Sequence, residues 1–313
     1  MNVDGDIHIP PAWERITLSA LTGTVLVLGA PDTGKSTFAR YLYRRLCFCH
    51  EQVAFVDGDV GQATLGPPTT MTLALGCPGD DAFPPAGPRS RVFVGDVSPR
   101  GHMLPVLVGA HKLVQKARAE GASAIIFDTT GLVDLAYGGG ALKQAKIELL
   151  APSAVVGIQR GSELEHLLVP LRHSRRTRVL DLPASWAAQR REVTARREHR
   201  ATRFRLYFEG ARELDVAWQR LAVFPAPAFS PGRLVALEDD AGLALGLGIV
   251  VASDLARSTS SPRLRTRGPR SEQAGQARGT VTLHTPLSSL VGVDAIRLGD
   301  LALDLQTFRE TRL

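Results

Sequence analysis

Asparagine is almost absent from this 313-residue chain; Asn2 is the only one. Cysteine is scarce too, with Cys47, Cys49 and Cys77 alone. Three thiols set no disulfide framework, and no Cys/His set completes a zinc site. Cys47 and Cys49 therefore read as packing residues near a helix end, and a reducing cytoplasm fits. No apolar run nears the roughly 18 residues that cross a membrane. Met1 to Ile9 carries acids where an export signal would be basic and apolar, so neither export nor membrane insertion is expected. Lysine is rare as well, at five of the 37 basic residues. What is plentiful is hydrophobic content, 44%, enough for one large core and a smaller domain.

Short apolar runs alternate with helix-like runs. Strands are expected at Val25–Leu28, Val53–Val56, Val92–Val94, Ala124–Phe127, Ala154–Ile158 and Val179–Leu182. Helices are expected near Thr37–Leu46, Leu104–Glu120, Ala141–Leu150, Ser162–Leu171 and Ala184–Tyr207. Continuous apolar strands separated by helices predict an α/β fold with a mostly parallel sheet and helices on both faces. Pro10 and Pro11 can start a short helix carrying Trp13, read as a buried anchor under the sheet. Past Gly210 the runs become short and alternating, at Leu234–Leu237, Ala244–Val251, Val281–His284 and Leu290–Leu305, which predicts a small antiparallel β domain. Residues 256–279 are rich in Ser, Arg, Gly and Pro and read as a mobile loop. The expected division is a short N-terminal segment (1–22), a nucleotide-binding domain (23–220, with a helical lid at about 160–207) and a β domain (221–313).

The most informative stretch is Gly29-Ala-Pro-Asp-Thr-Gly-Lys-Ser-Thr37, a Gly-x4-Gly-Lys-Ser phosphate loop between an apolar strand and a helix. In that context backbone N–H groups and the helix N-terminus converge on one anion. Gly29, Ala30, Asp32, Thr33, Gly34, Lys35, Ser36 and Thr37 are the expected contacts of a nucleoside triphosphate. Lys35 would reach the outer phosphates and Ser36 would hold Mg²⁺. A second strand ends in Asp57-Gly-Asp-Val-Gly-Gln62. A third ends in Asp128-Thr-Thr-Gly131. Carboxylates at the C-terminal edge of parallel strands lie at the mouth of such a site. One can hold Mg²⁺, and another can take a proton from an attacking hydroxyl. Ser36, Asp57 and Asp128 form the expected metal set. Guanine readers of this broad class use Asn-Lys-x-Asp, which a chain whose one Asn is Asn2 does not carry. ATP is therefore the expected nucleotide, or a site that reads the base loosely through backbone.

The formal charge of +6 is uneven. Residues Arg172 to Arg205 hold eleven Arg and three acids, a net +8, which leaves −2 for the rest. Such a patch is either a footprint for a polyanion or a solvated surface helix. Arg191, Arg196-Arg197 and Arg200 mark an Arg-rich helix, and Arg191, Arg196 and Arg200, five and four residues apart, would spread over one broad face of it. Guanidinium groups aimed at phosphates are what phosphoryl transfer needs as charge moves.

These four elements, in this order and spacing and closing on Tyr207-Phe208-x-Gly210, resemble the polynucleotide 5′-hydroxyl kinases related to the kinase subunit of the eukaryotic pre-mRNA cleavage complex. Gly66-Pro67-Pro68-Thr69-Thr70 looks like the compact bacterial or archaeal branch. The resemblance covers residues 20–210 well and the remainder loosely. It implies a P-loop NTPase fold with ATP and Mg²⁺ as cofactors, and RNA or DNA 5′-hydroxyl ends as partners. It implies Lys35, Asp59, Arg191 and Arg196 as catalytic, with Asp59 the general base. It implies nucleic-acid contacts at Gln62, Pro67, Pro68, Thr69, Thr129, Thr130, Arg197 and Arg200, with Thr129 to Gly131 in a clasp over the lysine. Two departures stand out. Leu132 replaces the base-stacking Trp of eukaryotic relatives, and Glu192 replaces a Ser after the first lid Arg. The expected activity is transfer of the γ-phosphate of ATP to a 5′-hydroxyl. The rivals are a nucleotide-driven maturation or assembly switch and an ATP-bound scaffold of an RNA-processing complex.

Overall fold

The continuous apolar runs of the sequence become buried strands. The computed structural model describes residues 8–76, 81–188, 190–254 and 279–313. Cys77 and the expected mobile loop, but for Gly279, lie outside the described residues. The chain divides into two units, Met1–Arg200 and Ala201–Leu313.

The first unit runs α1 (Pro11–Glu14), β1 (Gly23–Gly29), α2 (Lys35–Leu46), β2 (Val53–Gly58), β3 (Thr70–Leu75), β4 (Arg89–Phe93), α3 (Met103–Ala119), β5 (Ala124–Thr129), α4 (Gly139–Leu150), β6 (Ala154–Gln159), α5 (Glu165–His173) and β7 (Arg178–Pro183). The division falls within α6 (Val193–Tyr207). Its seven strands take the order β4-β3-β2-β5-β1-β6-β7. β2, β5, β1, β6 and β7 are parallel, and β3 and β4 join antiparallel at one edge. β2, β3 and β5 are buried at every position, as strands covered on both faces must be. Trp13 is 2% exposed and packs against Phe38 and Tyr41 of α2. Cys47 packs against the same core.

Two expectations are corrected here. The apolar pattern does not predict β3, because Thr70 and Thr72 break its run; both are nonetheless buried, and Thr70 Oγ1 donates to Pro67 O at 2.7 Å. The last helix starts at Val193, not Ala184. Residues 184–188 and 190–192 are held at the phosphate loop instead of coiling. Ala184 N donates to Gln159 O, the Arg160 guanidinium donates to Ala188 O, and Arg191 N donates to the Asp32 carboxylate. Arg191 therefore precedes the helix on which Arg196 and Arg200 sit.

The second unit is a sheet of β8 (Arg212–Ala217), β9 (Ala222–Phe224), β10 (Arg233–Glu238), β11 (Ala244–Ser253), β12 (Thr280–Thr285), β13 (Ala295–Leu303) and β14 (Glu310–Arg312). Its path β14-β13-β10-β11-β12-β8 is antiparallel, and β9 pairs parallel with β13. The boundary expected at 220/221 differs from the division at 200/201 because β8 pairs with β12 along its whole length. No helix among the described residues is long and apolar enough to cross a membrane.

Candidate active site

The phosphate loop turns because two glycines let it. Gly34, the N-cap of α2, has φ +90°, a left-handed conformation that costs a residue with a Cβ. At Gly29 a Cβ would meet Thr33 Oγ1 at 2.5 Å and Ile158 O at 2.7 Å. Ala30 O accepts from Thr33 Oγ1 at 3.0 Å and from Lys35 Nζ at 2.9 Å, so the loop is braced by its own side chains. The loop opens on a cleft of about 1150 Å³. Asp32, Gly34, Lys35, Ser36, Thr37, Asp59, Gln62, Thr130, Arg191, Arg196 and Arg200 all line it.

The two acids after β2 do different work. Asp57 is 1% exposed, and its oxygens accept from the backbone N–H groups of Asp59, Thr64 and Leu65. Burial pushes its pKa up, and those bonds pull the other way. Asp57 thus folds the 59–65 loop and, like Asp128, lies behind the cleft lining. Asp59 does line the cleft. Its Oδ1 accepts from Gly61 N and Gln62 N, both at 3.0 Å, and its Oδ2 takes no hydrogen bond among the described residues.

Asp128 ends β5 beside the loop. Burial pushes its pKa up to about 7, against the pull of Lys35 and a hydrogen bond from Ser36. Its Oδ1 is buried without a hydrogen-bond partner among the described residues. A carboxylate oxygen left open next to a serine hydroxyl fits a hard divalent cation, which takes oxygen ligands. Among the described residues no group of three or more His, Cys, Asp or Glu is placed to hold a metal ion together, so phosphate and water oxygens would complete any shell.

The arginine segment reaches the loop. Arg196 pairs with Asp32, a residue held in the left-handed region at φ +59°. Ala195, Arg196, His199 and Arg200 share the face of α6 toward the cleft, as i, i+1, i+4 and i+5 positions do. Arg197 is exposed on another face. Pro67, Pro68 and Thr69 are buried, and Thr69 bonds through its backbone to Val60, Val94 and Gly95. The structure does not bring these three to the cleft, nor Thr129, which is fully buried with its hydroxyl donated to Val27 O at 2.7 Å.

Sequence reasoning missed two lysines. Lys143 and Lys146 of α4 are both 0% exposed. Lys143 Nζ donates to Thr129 Oγ1 at 2.7 Å and Thr130 O at 2.6 Å, tying α4 to the end of β5. Burial pushes its pKa well down. Lys146 Nζ has no hydrogen-bond partner among the described residues and lies 4.7 Å from the Phe127 ring centroid. Burial lowers its pKa to about 8 from the usual 10.5. Between those values the unfolded chain holds a proton that the folded chain has released, so stability rises with pH across that window. We expect Lys146→Met to remove that part of the rise, up to about 1.4 kcal/mol per pH unit. Urea midpoints at pH 8 and pH 10 check it; equal rises in both proteins would contradict it. The signal was available, since lysine is rare and two of the five sit three residues apart on one helix.

A phosphate loop between β1 and α2, with acids at the ends of β2 and β5, defines a P-loop nucleoside-triphosphate-binding domain. Residues 29–210 match the family described as mRNA cleavage and polyadenylation factor CLP1 P-loop, and the chain belongs to that family. It is 30% identical over 217 residues to a polyribonucleotide 5′-hydroxyl-kinase of Methanocaldococcus jannaschii, covering 69% of this chain and 58% of that one. The corresponding Pyrococcus furiosus protein is 30% identical over 213 residues, 68% and 58% of the two chains. The chain thus spans under two thirds of the length of these curated relatives. In a solved Clp1p–Pcf11p complex the Clp1-like fold matches with TM-score 0.61 at 13% identity, over 90% of this chain and 74% of that one. A second Clp1p–Pcf11p structure, concerned with ATP loss in a point mutant, gives 0.62.

Proposed function

We propose that this chain is an ATP-dependent polynucleotide 5′-hydroxyl kinase. One observation carries the reading: Lys35 and Ser36 of the phosphate loop face Asp59, with an open carboxylate oxygen, across one cleft that Arg196 and Arg200 also line. The named activity of the archaeal relatives supports it. Asp59 Oδ2 takes the proton of the 5′-hydroxyl as its oxygen attacks the γ-phosphorus, and the β–γ bridging oxygen leaves with ADP. Lys35 and the lid arginines neutralise charge that builds on the transferring and leaving oxygens. Ser36 and Asp128 would hold Mg²⁺, which supplies further charge neutralisation at the phosphates. Asp57 and Lys143 act on this chemistry by fixing the Asp59 loop and the clasp. The substrate is RNA or DNA, and the setting a reducing cytoplasm. Transfer of label from γ-labelled ATP to a 5′-hydroxyl oligonucleotide tests the reading; a 5′-phosphate oligonucleotide should take none.

The lid offers a second test. Arg196 lies at the loop, whereas Arg175 and Arg178 are exposed away from the cleft lining. Alanine at Arg191 or Arg196 should lower turnover more than oligonucleotide affinity. Alanine at Arg175 or Arg178 should weaken affinity and flatten its salt dependence by about 0.7–0.9 log–log units for each phosphate no longer neutralised. If all four variants behave alike across a salt series, the basic segment is a solvated surface.

A further inference from the structure

We infer that Trp186 is the stacking platform for the base of the donor nucleotide. The inference rests on the proposed function, in which a triphosphate sits on the phosphate loop with its last phosphate toward Asp59. The strand order then fixes where the nucleoside goes. Asp59 follows β2, on one side of β1, and β6 and β7 lie on the other. A triphosphate aimed at Asp59 runs its nucleoside the opposite way, over the C-terminal ends of β6 and β7.

The segment after β7 is built to meet it. Arg160, just past β6, donates to Asp32 O of the phosphate loop and to Ala188 O at 3.2 Å. This clamps residues 184–188 against the N-terminus of α2, and Ala188 Cβ comes within 3.8 Å of where a Cβ on Gly34 would stand. Ala187 and Ala188 line the cleft together with Thr37 and Arg40. Trp186 is the aromatic residue of this segment, and it is 83% exposed. Its ring contact is an edge-on one with His8, centroids 5.0 Å apart at 69°. The other two tryptophans are committed elsewhere, Trp13 in the core and Trp218 against Phe229. An indole kept in water on a clamped segment, next in sequence to the cleft-lining Ala187 and Ala188, is free to be covered by a flat ring. Stacking reads the face of a base and not its edge, which agrees with a chain that carries no Asn-Lys-x-Asp reader.

Nucleotide binding without acceptor tests the inference apart from phosphoryl transfer. Acrylamide quenching of tryptophan fluorescence is followed with ATP and with inorganic tripolyphosphate, which has the phosphates and no base. ATP should shield Trp186 and tripolyphosphate should not. Trp186→Ala should weaken ATP affinity about 5- to 100-fold. Its tripolyphosphate affinity should stay within about twofold, and Trp186→Phe should recover most of the ATP affinity. The KM for ATP should rise with the Kd while the KM for oligonucleotide holds. Equal ATP affinity in wild type and Trp186→Ala, or equal shielding by tripolyphosphate, would overturn the platform and leave the proposed function standing. Failure of the wild type to bind either ligand would overturn the proposed function, and the platform with it.

Discussion

Lys35→Ala should abolish 5′-phosphorylation, by at least about 10³-fold in turnover, while the fold stays intact. Lys35 is 6% exposed at the cleft, with Nζ held 2.9 Å from Ala30 O at the rim of the loop. Neither buried lysine of α4 can take its place, because Lys143 is spent on Thr129 and Thr130 and Lys146 lies under Phe127. An ammonium that meets charge growing on the γ-phosphoryl oxygens contributes more in the transition state than in the ground state. The loss should therefore fall on kcat more than on nucleotide affinity. The loop is braced separately by the Thr33–Ala30 bond, so the melting temperature should barely move. Activity within about tenfold of wild type, in a protein that still melts normally, contradicts the mechanism.

Asp59→Asn should cost about 10²–10⁴ in turnover with nucleotide binding largely kept. An amide oxygen can still accept from Gly61 N and Gln62 N, so the loop holds its shape. It cannot take the hydroxyl proton. Asp57→Asn is the informative contrast. It places an amide where Oδ2 accepts from both Thr64 N and Leu65 N, at 2.6 and 2.9 Å. Its first effect should be on stability, about 1–3 kcal/mol, because a buried loop loses an acceptor. Turnover and urea midpoints for both variants separate the two acids. A crippled Asp57→Asn with normal stability, beside a mild Asp59→Asn, would reverse the assignment.

The sequence shows the site unevenly, for physical reasons. The phosphate loop is legible because its chemistry is local: a strand, a turn that needs two glycines and a helix N-terminus meet within nine consecutive residues. Asp59 and Asp128 are legible as acids at strand ends. What separates Asp57 from Asp59 is not, since it depends on backbone N–H groups seven and eight residues downstream. The start of the last helix is hidden because alanines at 184, 187 and 188 favour helix, while Arg160 and Asp32 hold that stretch from across the fold. Pro67, Pro68 and Thr69 look like contacts by family pattern alone, and their burial depends on the fold around them, which the pattern does not show.

A kinase cleft moves a phosphate to a hydroxyl and does not merely split a nucleotide. The most direct measurement of that difference follows γ-labelled ATP with and without a 5′-hydroxyl oligonucleotide, and counts ADP, free phosphate and 5′-labelled product in one reaction. ADP should form only when acceptor is present, mole for mole with new 5′-phosphate ends, and Lys35→Ala should abolish both. ADP and free phosphate forming at the same rate without acceptor, with no label on the oligonucleotide, would contradict the kinase reading and identify the chain as a nucleotide-hydrolysing switch.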